Sequence, residues 1–152
     1  TLTAIAIFGT EGIRTGYKVR GATRFVYGDM QMARLQALKE GKEMAVEFVS
    51  ATAYCIKRKT TGAVNWDAGC DIGVEDTADA IIKTVDLSGD YSGVNMTNTG
   101  TVRVEFNPNG TGGGTNRVTL SKDSRVQHLC ITTGTGRIRI VERDPLINPN
   151  SC

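Results

Sequence analysis

The sequence predicts an α+β protein, with an N-terminal amphipathic α-helix packed on an antiparallel β-sheet head. Three observations carry that reading. Residues 17–40 repeat apolar side chains at helical spacing. After Gly41 the apolar repeat switches to a period of two and recurs in several short segments. Eighteen glycines in 152 residues supply the turns between those segments.

Within residues 17–40, Val19, Ala22, Val26, Met30, Ala33 and Ala37 step by three or four and form one narrow apolar stripe. Arg20, Arg24, Arg34 and Lys39 lie off it. Lys39 suits the negative end of the helix dipole, and Gly41 suits the position just past the last turn. Gly21 and Gly28 each cost about 1 kcal/mol against alanine, unless a neighbouring element approaches closely there. Residues 1–16 read differently. Leu2 to Gly9 is apolar but far shorter than the ~20 residues of a membrane span. It lacks the basic start and cleavage site of a signal peptide. Gly9, Gly12 and Gly16 argue against an independent helix, so residues 1–16 read as the remnant or altered form of a longer apolar segment.

Residues 43–142 are the β-rich part. "EMAVEFV" alternates Met44, Val46 and Phe48 against Ala45, Glu47 and Val49, and "AYCIKRK" follows as a hairpin partner. "DIGVE", "AIIKTVDL" and "SGVNM" are short strand candidates. "TVRVEF" turns Val102, Val104 and Phe106 inward, and "NPNGTGGGT" reads as a long glycine-rich hairpin loop. "NRVTLSK" buries Val118 and Leu120. "RVQHLCIT" and "GRIRIVER" complete the strands, with Ile138 and Ile140 inward. The tail, residues 143–152, has two prolines and no period.

Composition narrows the function classes. Hydrophobic residues make up 39% and charged residues 22%, values of a globular protein, and the net charge of +2 gives no global field for nucleic acid. The charge is unevenly placed. Residues 1–59 hold 10 Lys/Arg and 5 Asp/Glu, residues 60–100 hold 1 and 7, and residues 101–152 hold 7 and 4. Such basic–acidic–basic order suits subunits pairing opposite patches, or an acidic solvated loop.

Four cysteines, Cys55, Cys70, Cys130 and Cys152, form no CxxC pair, which argues against a zinc or redox site. Their even number suits an oxidising compartment. Of three connectivities, Cys55–Cys70 with Cys130–Cys152 closes the shortest loops; free buried thiols are the other reading. His128, the one histidine, supports neither a catalytic triad nor a histidine metal cluster. It reads as a structural side chain sharing a face with Val126 and Cys130. Asp67, Asp71, Glu75, Asp76 and Asp79 lack the twelve-residue calcium-loop spacing and read as a solvated acidic loop. Trp66 reads as a packing residue. The glycine run lacks the Lys-Ser/Thr and following helix of a phosphate loop. Asn95-Met96-Thr97 and Asn109-Gly110-Thr111 match a glycosylation pattern common by chance. No catalytic residue, metal or cofactor is expected.

Near the end, Arg137, Arg139 and Arg143 are spaced two and four apart and point to one side of a strand. Paired guanidinium groups at such spacing can bind phosphate oxygens. They can equally pair with Glu142, Asp144 or a neighbouring subunit.

Two stretches resemble one family. "GDMQMARLQALKEGKEMAVEF" resembles the helix end and first strand of the FimT/GspH-type minor pilins and pseudopilins of the type IV pilin superfamily, through Ala33, Arg34, Ala37, Leu38 and Lys39. "VEFNPNGTGGGTNRVTLSKDSRVQHLCITTGTGRIRI" resembles the same family's C-terminal part, through Phe106, Pro108, Gly110, Gly136, Arg137 and Arg139. The resemblance spans roughly residues 18–142. It implies a structural subunit of a type IV pilus or type II secretion pseudopilus, acting in filament assembly, priming or tip formation. The implied partners are other pilins and the bacterial inner membrane, reached through the N-terminal helix. The implied location is the inner membrane with a periplasmic head, and the filament. The sequence departs from the family in lacking a leader Gly followed by Phe or Met, and a glutamate within an unbroken apolar run. In some FimT-like minor pilins a Gly-Arg-x-Arg motif contributes to DNA binding in natural transformation, and Arg137 and Arg139 fall on that motif. A DNA-binding minor pilin is therefore one alternative function, and an independent secreted binding domain another.

Overall fold

The computed structural model describes residues 8–60, 66, 69–70, 79–99, 102–114 and 117–142. Helix α1 spans Phe8–Glu40. The expected stripe is its buried face: Val19, Ala22, Val26, Met30, Ala33 and Ala37 are all at most 1% exposed. The helix starts earlier than residue 17, and the reason is cooperative. Once packing fixes the turns from Val19 onward, adding each preceding residue costs little compared with nucleating a helix there. Gly12 and Gly16 weaken this extension by about 1 kcal/mol each without stopping it. At the other end, Gly41 takes φ +64° and its N–H returns to the Ala37 carbonyl at 3.0 Å. Of the two mid-helix glycines, Gly21 is a close-approach site, because a Cβ there would lie 2.8 Å from the Tyr91 ring. Gly28 has open space around it.

Among the described residues nine strands follow: β1 (Met44–Phe48), β2 (Ala53–Lys59), β3 (Asp79–Asp86), β4 (Asn95–Thr99), β5 (Arg103–Phe106), β6 (Gly112–Gly114), β7 (Arg117–Lys122), β8 (Arg125–Thr132) and β9 (Arg137–Glu142). They form two antiparallel sheets, ordered β3-β2-β1-β5-β6 and β4-β7-β8-β9. The helix packs across both, touching β1 and β5 of the first and β7, β8 and β9 of the second. One core results. Met44, Val46, Tyr54, Ile56, Val104 and Phe106 come from the first sheet; Met96, Val118, Leu120, Leu129, Ile131 and Ile138 come from the second.

Three expectations are corrected. Val102 is 50% exposed, because β5 begins one residue later and Val102 sits on the bend before it. Ile140 is 39% exposed although it pairs with buried Leu129, because β9 is an edge strand flanked on one side only. The glycine-rich "loop" contains β6, whose Gly112 and Gly114 pair with Phe106 and Val104. The "DIGVE" candidate and the tail, residues 143–152, lie outside the described residues.

Candidate functional site

On β9, alternation puts Ile138 inside at 4% exposure and leaves Arg137 and Arg139 exposed on the outer face of the four-stranded sheet. Arg139 pairs with Cys130 on β8, and Cys130 pairs on its other side with Arg117 of β7. Arg117 and Arg139 thus flank one residue, and Arg137 stands two positions away opposite Thr132. Of the partners considered for these arginines, Glu142 is not taken by Arg137 or Arg139. Glu142 instead accepts from Arg20 of the helix, 2.9 Å away, and from Gln127 Nε2, also at 2.9 Å. Among the described residues neither Arg137 nor Arg139 forms an ion pair. Arg143 and Asp144 lie outside them. On the same face His128 Nδ1 sits 2.9 Å from Thr119 Oγ1, a cross-strand neighbour.

The glycine preceding these arginines has a different role. Arg34, half-buried on the helix, donates from Nε to the Gly110 carbonyl and from Nη2 to the Thr135 carbonyl, both at 3.0 Å. Gly110 and Gly136 both take positive φ, +78° and +63°. A Cβ on Gly136 would lie 2.2 Å from the Gly110 carbonyl oxygen and 3.1 Å from the Gly112 nitrogen. Leu38 covers Gly110 closely enough to meet any Cβ there at 3.0 Å. Four of the eleven residues that carry the resemblance, Arg34 and Leu38 of the helix, Gly110 of one turn and Gly136 of another, therefore meet in one joint. There a single guanidinium satisfies two turn carbonyls.

The opposite face of the five-stranded sheet holds a cluster that the strand pattern alone did not reveal. Alternation assigns Glu47 and Lys57 to solvent, yet their side chains are 4% and 2% exposed. Lys57 Nζ lies 3.2 Å from Glu47 Oε2 and 3.4 Å from Asp79 Oδ2. Arg103 reaches Glu47 at 3.7 Å and Glu105 at 3.5 Å. The Gly69 N–H donates to Glu47 Oε1 at 2.8 Å. Asp79, expected in a solvated loop, is 7% exposed. Gly69 and Cys70 are held at this cluster by the Cys55–Cys70 disulfide, since Cys55 sits directly opposite Glu47. That adjacency was the available signal: a cysteine between two outward charges tethers chain over them. Trp66 also lies on this side of the molecule, with Lys59 Nζ 5.5 Å from its ring centre. Cys130 is disulfide-bonded as well, and Cys152, its expected partner, lies outside the described residues, as do Asp67, Asp71, Glu75 and Asp76.

A second polar anchor joins helix and sheet. Asp29, 7% exposed, accepts from the Tyr54 hydroxyl at 2.7 Å and from Lys83 Nζ at 2.7 and 2.9 Å. Burial, and then the hydrogen bond to Asp29, push the Tyr54 hydroxyl well above the ordinary tyrosine range. Among the described residues no group of three or more His, Cys, Asp or Glu is placed to hold a metal.

The family model for the type II transport protein GspH matches residues 22–136. Comparison with curated protein sequences gives no significant match. The fold resembles the type IV minor pilin FimU of Pseudomonas aeruginosa in two crystal forms. In the P65 form the TM-score is 0.57 at 16% identity, covering 88% of this chain and 98% of that one. In the P21 form it is 0.57 at 14% identity, covering 94% and 98%. The matched span holds Arg34, Gly110 and Gly136 of the joint, and the helix-on-sheets architecture is that of a solved minor pilin. The chain therefore belongs to the GspH family and is a structural subunit of the minor pilin or pseudopilin type.

Proposed function

We propose that this chain is a non-catalytic filament subunit whose helix makes the contacts that place it among other pilins. The observation that carries the reading is how unevenly the helix is used. Its stripe is buried from Val19 to Ala37, whereas Ile13 and Tyr17, on the turns before, are 60% and 71% exposed. An aliphatic and an aromatic side chain on one helix face, i and i+4, are available to a neighbouring subunit. The Cys55–Cys70 disulfide supports a head that folds in an oxidising compartment such as the periplasm. Among the described residues no helix is long and apolar enough to cross a membrane.

The test is incorporation. In a pilus or type II secretion system lacking its own subunit of this type, the wild-type chain should be recovered with filaments. An Ile13→Asp/Tyr17→Asp chain should fold with an unchanged melting temperature and stay out of them. Equal recovery of both would remove the helix from the account. DNA binding is favoured by one observation, the two outward guanidiniums of Arg137 and Arg139. Retardation of duplex DNA by wild type and not by Arg137→Ala/Arg139→Ala would support it; no retardation by wild type would dismiss it.

A further inference from the structure

The end of the head where the helix emerges carries charge and exposed apolar groups that neither the core nor the Arg34 joint uses. Thr15 Oγ1 donates to Asp123 in the β7–β8 turn, which places that turn beside the helix. Between them runs a groove of about 560 Å³ lined by Ile13, Tyr17, Arg20, Ser124 and Arg125. Around it stand cations from three elements. Arg14 is exposed one turn before Lys18 on the helix. Lys18 Nζ and Lys122 Nζ converge on Ser92, donating to its Oγ at 2.8 Å and its carbonyl at 2.7 Å. Arg125 is exposed opposite Lys122 across the hairpin. The exposed described carboxylates on this side are Asp90, Asp123 and Glu142 against Arg14, Lys18, Arg20, Lys122 and Arg125, which leaves a positive excess. Arg20 is neutralised by Glu142.

We propose that this end of the head docks on an anionic phospholipid bilayer. Before a neighbouring subunit covers them, Tyr17 and Ile13 enter the headgroup layer, while Arg14, Lys18, Lys122 and Arg125 face its phosphates. The proposal rests on the pilin-subunit reading above and names a membrane contact for the head itself. The arrangement fits a lipid surface better than a protein pocket. Cations ring an exposed aromatic–aliphatic pair, with the aromatic ring suited to the interface and the long basic stems free to reach phosphate. The patch also lies on the side towards which the apolar run Leu2 to Phe8 precedes the helix in sequence. An apolar segment inserted in a bilayer at that end of the helix would bring this patch to the membrane surface. The other exposed arginine pair, Arg137 and Arg139, lies elsewhere. Arg137 follows the turn held by Arg34, twenty residues and about 30 Å along the helix from Arg14.

The test uses the 152-residue chain and vesicle co-sedimentation. Vesicles containing phosphatidylglycerol should bind it at least about tenfold more tightly than phosphatidylcholine alone, and salt should weaken the difference. Arg14→Glu/Arg125→Glu should lower that binding about tenfold or more. Arg137→Glu/Arg139→Glu, which changes net charge equally, should leave it unchanged. Tyr17→Ser, at an exposed position, should weaken it several-fold and serves if the charge-reversed chain misfolds by circular dichroism. Equal binding to both vesicle types, or equal loss in both charge-reversed chains, overturns the proposal. So does loss of filament incorporation by Arg14→Glu/Arg125→Glu with vesicle binding intact, which assigns the patch to a neighbouring subunit. Vesicle binding that persists while wild type never enters filaments counts against the subunit reading alone.

Discussion

Gly136 and Gly134 occupy one turn, both with positive φ, +63° and +88°. They differ in what surrounds them. A Cβ on Gly134 meets nothing within 4 Å; one on Gly136 would sit 2.2 Å from the Gly110 carbonyl oxygen, where real Cβ contacts stay beyond 3.0 Å. Alanine at either position pays the left-handed backbone cost, about 1–2 kcal/mol. Only Gly136→Ala must also push two backbones apart and loosen the Arg34 hydrogen bond to Gly110, adding about 2–3 kcal/mol, the upper part of the core-overpacking range. For a chain of this size 1 kcal/mol moves the melting temperature by roughly 2–4 °C. Differential scanning calorimetry should then show a fall of about 4 °C for Gly134→Ala and about 10 °C or more for Gly136→Ala. Equal falls would mean that the joint of helix and turns is not a close-packed contact, and the structural account of the motif would be wrong.

Lys57→Ala should destabilise the head by about 3–5 kcal/mol, because it leaves Glu47 and Asp79 buried without their shared cation; chemical denaturation measures it. Cys70→Ser should cost about 3 kcal/mol, from a loop whose ends are 15 residues apart in sequence, and should raise proteolytic cleavage between residues 60 and 79. Tyr54→Phe should be less stable than wild type near neutral pH by about 1 kcal/mol, through loss of the hydroxyl bond to Asp29. Above about pH 10 that gap should close and invert. The unfolded tyrosine ionises there while the buried hydroxyl keeps its proton, so wild type alone loses about 1.4 kcal/mol per pH unit. Parallel stability curves for the two proteins at alkaline pH would contradict this.

Much of the fold was legible because burial leaves a period in the sequence. The stripe from Val19 to Ala37 and the alternations in β1, β5 and β7 are direct imprints of one-sided packing. Where both sides of a strand are covered, the period misleads. Glu47 and Lys57 look like solvent-facing residues, yet both are interior beside the Cys55–Cys70 disulfide. Edges mislead in the opposite sense: Ile140 has the right parity and too few neighbours. The helix start was missed because local propensity near Gly12 and Gly16 is poor, while propagation from a packed segment is a tertiary effect. In the candidate site, the arginine positions were readable from alternation, but what Gly136 does was not. That depends on Gly110 and Arg34, remote in sequence.

The Gly-Arg-x-Arg run thus separates into two functions with opposite signatures. Gly136 belongs to the packing of the head, and Arg137 and Arg139 belong to its surface. Substituting the arginines removes no ion pair among the described residues and uncovers no buried group. Arg137→Ala/Arg139→Ala should therefore change stability by less than about 0.5 kcal/mol per site, while Gly136→Ala alters stability strongly and keeps both guanidiniums. A loss of DNA retardation or filament incorporation in the arginine variant, at unchanged melting temperature, places the function on the guanidiniums. The same loss in Gly136→Ala alone, with the arginine variant fully active, places it on the geometry of the turn. Reading the whole run as one binding motif cannot produce that second result, so the pair of variants decides between a surface contact and a folding requirement.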